Sequence, residues 1–172
     1  MKRSAFLKKS IFGGSLLIAH PWKAFAQEVK EKPAPIKLEI VKEFVTVSHG
    51  NYPRVKEMLE NEPLLLHVSN DWGGGDYESG IEAAGHVGNH EIANYLLSKG
   101  ARYNIFLACM LGHIDTVKNV LIFNPGLLHS KGPHGFTMLH HAIKGGETSS
   151  AVEDYLRSQG AKETKLDFYS RA

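Results

Sequence analysis

Residues 50–67 read GNYPRVKEMLENEPLLLH, and residues 112–129 read GHIDTVKNVLIFNPGLLH. Aligned at an offset of 62 residues, they agree at eight of 18 positions: glycine, valine, lysine, leucine, proline, two leucines and histidine, in order. Unrelated stretches of this length share about one, so the agreement marks an internal duplication, which bounds the architecture before any single motif does. Each copy follows its glycine with apolar residues four apart, Val55 and Leu59 in one, Val117 and Leu121 in the other. That spacing places both side chains on one face of a helix.

A smaller unit lies inside each half. A short apolar helix reaches a glycine, a polar turn follows, and a second helix carries the seam. The other two instances are Gly88 with Ile92 and Leu96-Leu97, and Gly145-Gly146 with Val152 and Leu156. Glycine suits such a turn because the residue there takes a positive φ or lies against a neighbouring backbone. The expectation is an all-α chain of about four helix-turn-helix units that bury their seams by stacking.

These residues resemble the ankyrin repeat, whose consensus runs G-x-T-P-L-H-x-A, then a glycine and a polar residue, then I/V-V-x-x-L-L-x-x-G-A. Residues 135–142 read GFTMLHHA and depart from it only at Met138, where the consensus has proline. Residues 79–92 read SGIEAAGHVGNHEI and lead to LLSKGA at 96–101, with Gly80 and Glu82 in place of proline and histidine. The resemblance covers residues 37–162, and the whole chain is similar to small exported bacterial members of that family that carry WGGGD and GPHG stretches. It implies an ankyrin-repeat solenoid that binds another protein.

Ankyrin units are about 33 residues long. The turn glycines 50, 88, 112 and 145 are separated by steps of 38, 24 and 33. The short step brings residues 100–104, GARYN, almost directly into the third unit, with no room for a β-hairpin. The long step makes residues 67–78 a long finger. Two prominent loops are expected, at WGGGD and at GPHG.

Residues 1–26 differ from the rest. MKRSAFLKK carries four basic residues and no acid, SIFGGSLLIA is apolar, and the segment ends in Ala24-Phe25-Ala26. This is the pattern of a secretory signal cleaved before Gln27, with a linker at 27–36, the repeat domain at 37–162 and a tail at 163–172. A membrane anchor needs about 20 apolar residues, and Gly13, Gly14, Ser15, His20 and Lys23 interrupt the run too early. The segment resembles the twin-arginine export motif except that Ser4 stands where the second arginine belongs, which favours the general secretory route. The chain is expected in the periplasm or outside the cell. Removing the segment leaves 15 of the 20 basic residues against 18 acids, a balance of −3. A nucleic-acid partner is not expected at that charge.

Cys109 is the only cysteine, within the apolar run 105–111, and reads as a small core residue rather than a reactive thiol. No G-x-S-x-G, no Cys-His spacing and no phosphate-binding G-x-x-x-x-G-K-[ST] is present. The chain is therefore expected not to be an enzyme and to need no cofactor. Thr137 is the natural N-cap of the last unit. By resemblance, His140 is the structural histidine of the T-P-L-H element, and the partner meets the finger tips and the positions before the turn glycines. Carried onto this chain, with Trp72 and Tyr77 as aromatic anchors, those positions are Trp72, Asp76, Tyr77, Glu78, His86, Met110, Pro133, His134, Phe136 and Lys144. Asp71, Asp76, Glu78 and Glu82 read either as a solvated acidic loop or as a rim for a basic partner.

One alternative uses the histidines differently, as a metal or small-ligand site or a metal-dependent enzyme. His49, His86 and His134 fall near one face, and His49, His86 and Glu82 are a second possible set. Zinc ligands must meet at about 2 Å from one ion, whereas helix units stack about 10 Å apart. Adjacent units could converge, but His134, two units from His86, is not expected to share one ion with it, and no metal site is expected.

Overall fold

The computed structural model describes residues 32–169. The chain divides into two units, Met1–Ala34 and Pro35–Ala172. Of the first, only the exposed, irregular stretch 32–34 is described. The expected signal segment and residues 27–31 of the linker lie outside the described residues.

The second unit is mostly helical and consists of consecutive helix pairs. Helices α1 (Leu38–Val47) and α2 (Tyr52–Asn61) come first, then a 3-10 turn at Pro63–His67 and a hairpin of β1 (Ser69–Asp71) and β2 (Tyr77–Ser79). Next are α3 (Gly80–Val87) with α4 (His90–Ser98), and α5 (Ile105–Met110) with α6 (Ile114–Phe123). A 3-10 turn at Pro125–His129 repeats the one at Pro63–His67, as the shared P-x-L-L-H requires. Then come a turn at Pro133–Gly135, α7 (Met138–Gly145), a 3-10 turn at Gly146–Ser149 and α8 (Ser150–Ser158). The all-α expectation holds at this level, with one two-stranded hairpin added. No helix among the described residues is long and apolar enough to cross a membrane.

Short polar side chains start the helices by taking up first-turn amides that have no helical acceptor. The side-chain oxygens of Asn51, Asn89 and Asn104 accept from the amides of Arg54, Ile92 and Leu107 at 3.2, 3.0 and 2.9 Å. Thr137 Oγ1 accepts from the His140 amide at 3.3 Å. Glu82 closes the start of α3 by accepting from the Ser79 amide and hydroxyl at 2.9 and 2.6 Å. Its other oxygen accepts from Asn104 Nδ2 at 3.1 Å, tying α3 to the cap of α5.

The first helices of the pairs pack in sequence, α1 on α3, α3 on α5 and α5 on α7. Phe44, Val55, Ile81, Ile92, Leu96, Leu107 and Met110 form one buried cluster, and Cys109, Val117, Leu121, Met138, Leu139, Val152 and Leu156 form the next. Helix α5 feeds both, with Leu107 and Met110 on one side and Ala108 and Cys109 on the other. Burial pushes the Cys109 thiol up to about 12, which keeps it protonated and inert. Helix α3 also touches α7 directly. His140 Nε2 meets the His86 carbonyl at 2.8 Å, and His90 Nε2 meets the Gly145 carbonyl at 3.0 Å.

The turn glycines are not equivalent. Gly112 has φ +75°, and a Cβ there would run into the Thr148 carbonyl. Gly50 keeps an ordinary φ and faces open space, so the expectation that its turn requires glycine is not met. The hairpin tip does require it: Gly73, Gly74 and Gly75 have φ of +128°, +63° and +89°, and Asp71 Oδ1 accepts from the amides of Gly73 and Gly75. The third pair has no hairpin, as its short step implies. The tail caps the last unit, with Thr137 Oγ1 donating to the Glu163 carbonyl at 2.7 Å and the Leu166 amide donating to the Gly135 carbonyl at 2.8 Å.

Candidate functional site

The site begins with the alternation of a strand. In β2, successive side chains face opposite sides, so Tyr77 is 61% exposed while Glu78 is fully buried. A carboxylate taken out of water must be paired. Four segments supply the partners. His86 comes from the last turn of α3, and its Nε2 lies 2.8 Å from Glu78 Oε1. His49 follows the end of α1, with its Nε2 3.0 Å from His86 Nε2 and 3.8 Å from Glu78 Oε1. Trp72, from the hairpin loop, donates its indole N–H to Glu78 Oε2 at 2.8 Å. His134 adds its Nε2 at 3.4 Å from Oε2.

Burial pushes the Glu78 carboxyl upward, but contact with His86, the charge of His86 and His49, and the Trp72 bond together hold it below the ordinary carboxylate range. Glu78 is therefore ionised at neutral pH. Its Oε1 nevertheless receives no directed hydrogen bond, although His86 Nε2 is close. The orientation of His49 is set from behind: its Nδ1 lies 3.1 and 3.0 Å from the carbonyls of Val45 and Thr46, both acceptors. Nδ1 must then carry the proton, and in the neutral ring Nε2 presents a lone pair.

A second carboxylate joins the two loops. Asp76 is buried; its Oδ1 accepts from the His134 amide at 2.8 Å, and its Oδ2 lies 2.7 Å from His134 Nδ1. His134 has φ +59°, the one non-glycine with positive φ among the described residues. Such a backbone costs about 1–2 kcal/mol and persists where surrounding bonds hold it, as these two do. Tyr169 adds a bond from its hydroxyl to the Gly73 carbonyl at 3.1 Å. Rings then continue the cluster: His86 lies edge-on to His134 at 5.5 Å and stacks on Phe136 at 5.1 Å, and Phe136 stacks on His140 at 4.0 Å.

The site residues expected from sequence separate into two groups. Trp72, Tyr77 and Lys144 are exposed, and His134 and Phe136 are half-buried. Asp76, Glu78, His86 and Pro133 are buried, so they are corrected from partner contacts to internal support. Met110 is corrected outright, because it lies wholly inside the first core cluster. The acidic loop is not simply solvated: Asp71, Asp76, Glu78 and Glu82 are each spent on internal bonds. His141 is buried, and burial pushes its imidazole down to about 4, despite its bond to the Thr137 carbonyl. Burial also lowers His140.

The rings of His134 and His86 lie closer than an even stack allows, although His134 is not among the gathered donor atoms. Helix α5 has only six residues, so α3 and α7 meet beside it, and the Pro133–Gly135 turn folds back over His86. Among the described residues, one set of donor atoms gathers as a metal site would: His49, Glu78 and His86, all within 4.8 Å of one another. The carboxylate considered from sequence, Glu82, points elsewhere. The signal for Glu78 was its place in a strand with alternating burial, which the glycine-rich neighbourhood concealed.

Comparison with protein-family models finds no match. The chain is 26% identical over 121 residues to a protein of Oryza sativa subsp. japonica described as a probable E3 ubiquitin-protein ligase. The match covers 63% of this chain, which spans about a quarter of that relative's length, 24%. A ligase is an enzyme, so the expectation that the chain is not an enzyme is corrected: similarity to part of one overturns it.

Proposed function

We propose that the four helix pairs form an ankyrin-like solenoid, exported from a bacterial cell, that recognises another protein through its two joined loops. The observation that carries this reading is the Asp76–His134 pair, which ties the hairpin loop to the turn at Pro133–Gly135 across 58 residues of sequence. Loops held in place before binding lose little conformational entropy when a partner arrives. They present Tyr77 and Trp72, residue types that dominate binding energy at interfaces, beside half-buried Phe136 and exposed Lys144. The absent third hairpin supports the same reading: it leaves an open groove of about 360 Å³ lined by Tyr77, Phe106, Lys131 and Phe168 among others.

The test uses residues 27–172 as bait in an extract of exported proteins, beside a Tyr77→Ala, Lys144→Ala variant whose substituted side chains are exposed. One protein retained by the wild type, and lost by a variant with unchanged cooperative unfolding, is expected. Equal retention by both chains would set this surface aside. Export is checked separately by the mass of the secreted chain, which should begin at Gln27.

A further inference from the structure

We propose that His49 Nε2, His86 Nε2 and Glu78 Oε1 together bind one divalent transition-metal ion, with zinc the ion best suited to the set. The three atoms lie 3.0, 2.8 and 3.8 Å apart. Ligands held at about 2.0–2.2 Å around a tetrahedral ion are about 3.3 Å from one another, so the observed separations bracket that value. One ion fits among these atoms after shifts of a few tenths of an ångström.

Directionality points the same way. Glu78 Oε1 is a fully buried carboxylate oxygen with no hydrogen-bond donor aimed at it. An ionised oxygen in that state is costly to leave unmet, and a cation at the centre of the three atoms would meet it. His49 and His86 turn ring nitrogens toward each other at 3.0 Å. Two lone pairs at that distance repel, and either a proton or a metal ion must lie between them. The His49 proton is already committed to Nδ1 by the Val45 and Thr46 carbonyls, which leaves Nε2 as a donor to metal.

The outer contacts are those that orient metal ligands. Backbone carbonyls fix the His49 ring. The Trp72 indole holds Glu78 Oε2 and so directs Oε1 inward. Two imidazoles and one carboxylate suit zinc, cobalt, nickel or copper, whereas magnesium and calcium favour oxygen donors throughout. Three protein ligands leave a fourth tetrahedral position to solvent, and the His49 side chain, 31% exposed, marks the open side.

The test uses the untagged chain, stripped by chelator and dialysed, then titrated with cobalt(II) chloride and zinc chloride. About one equivalent of cobalt should give the intense visible bands of a tetrahedral site, and zinc should displace it. His49→Ala, at a partly exposed position, should weaken zinc binding by about 100-fold or more while cooperative unfolding persists. Trp72→Phe, which removes only an outer contact, should weaken it by about 10-fold. Calcium and magnesium should not compete. No stoichiometric uptake by the wild type would overturn the proposal. So would equal zinc affinity in the wild type and His49→Ala, or competition by magnesium at similar concentration.

Discussion

The two duplicated halves share a frame and differ in what they place on it. At the offset of 62, His49 corresponds to Leu111. One is half-exposed and faces Glu78 and His86; the other is buried in the first core cluster. After their matching 3-10 turns, one half continues into the hairpin that buries Glu78, the other into the turn that places His134 over it. A duplication thus preserves the seam that stacking requires and frees the positions between seams to diverge. Polar chemistry accumulated where the halves meet.

Identical residues in the two copies offer the sharpest ways to break this comparison. Leu65 and Leu127 occupy matched positions, yet Leu65 is 1% exposed and Leu127 only partly buried. Leu65→Ala should destabilise by about 3–4 kcal/mol and Leu127→Ala by about 1 kcal/mol in urea unfolding. Equal losses would mean that the halves bury their seams alike.

The next effect separates the halves by pH. His141, four residues after the Thr137 cap of α7, is held at about 4, far below an ordinary histidine, while the residue four after the Ser79 cap of α3 is Ala83. Between pH 6.5 and about 4 the unfolded chain binds a proton at His141 that the folded chain refuses. Stability is therefore full above pH 6.5 and falls on acidification across that window, by about 3 kcal/mol. His141→Leu should flatten that part of the profile measured by thermal melting. Glu78, with its carboxyl lowered, contributes stability above the ordinary carboxylate range and loses it only on further acidification through its folded value.

A smaller contrast concerns the turns. Gly112→Ala places a side chain at positive φ against the Thr148 carbonyl and should cost about 2–3 kcal/mol. Gly50→Ala meets open space and should change stability by less than about 0.5 kcal/mol, with a sign toward stabilisation. A comparable loss at both positions would show that the first turn is constrained by contacts the structure does not contain.

The helical frame was legible because its signals are local. The Thr137 cap and the seams at four-residue spacing each act within a few residues, and the duplication states the seam twice. The cluster was harder to read for a physical reason. His49, Glu78 and His86 come from the turn after α1, a hairpin and α3, and their convergence depends on the face toward which β2 turns its alternating side chains. Glu78 beside Tyr77 looks solvated until the strand is known. An even stack would hold His134 away from His86, whereas a six-residue α5 lets α3 and α7 touch. A position before a turn glycine suggests a surface place for Met110, but α5 is sandwiched by both core clusters there.

The joining of the two loops is the claim on which the rest depends, and a double-mutant cycle on Asp76→Ala and His134→Ala tests it most directly. A buried carboxylate bonded to the ring of His134 predicts a coupling energy of about 1–3 kcal/mol in the unfolding free energies, since the bond to the His134 amide survives His134→Ala. Losses that add to within about 0.5 kcal/mol would mean that the loops fold independently, and the single rigid surface would be contradicted.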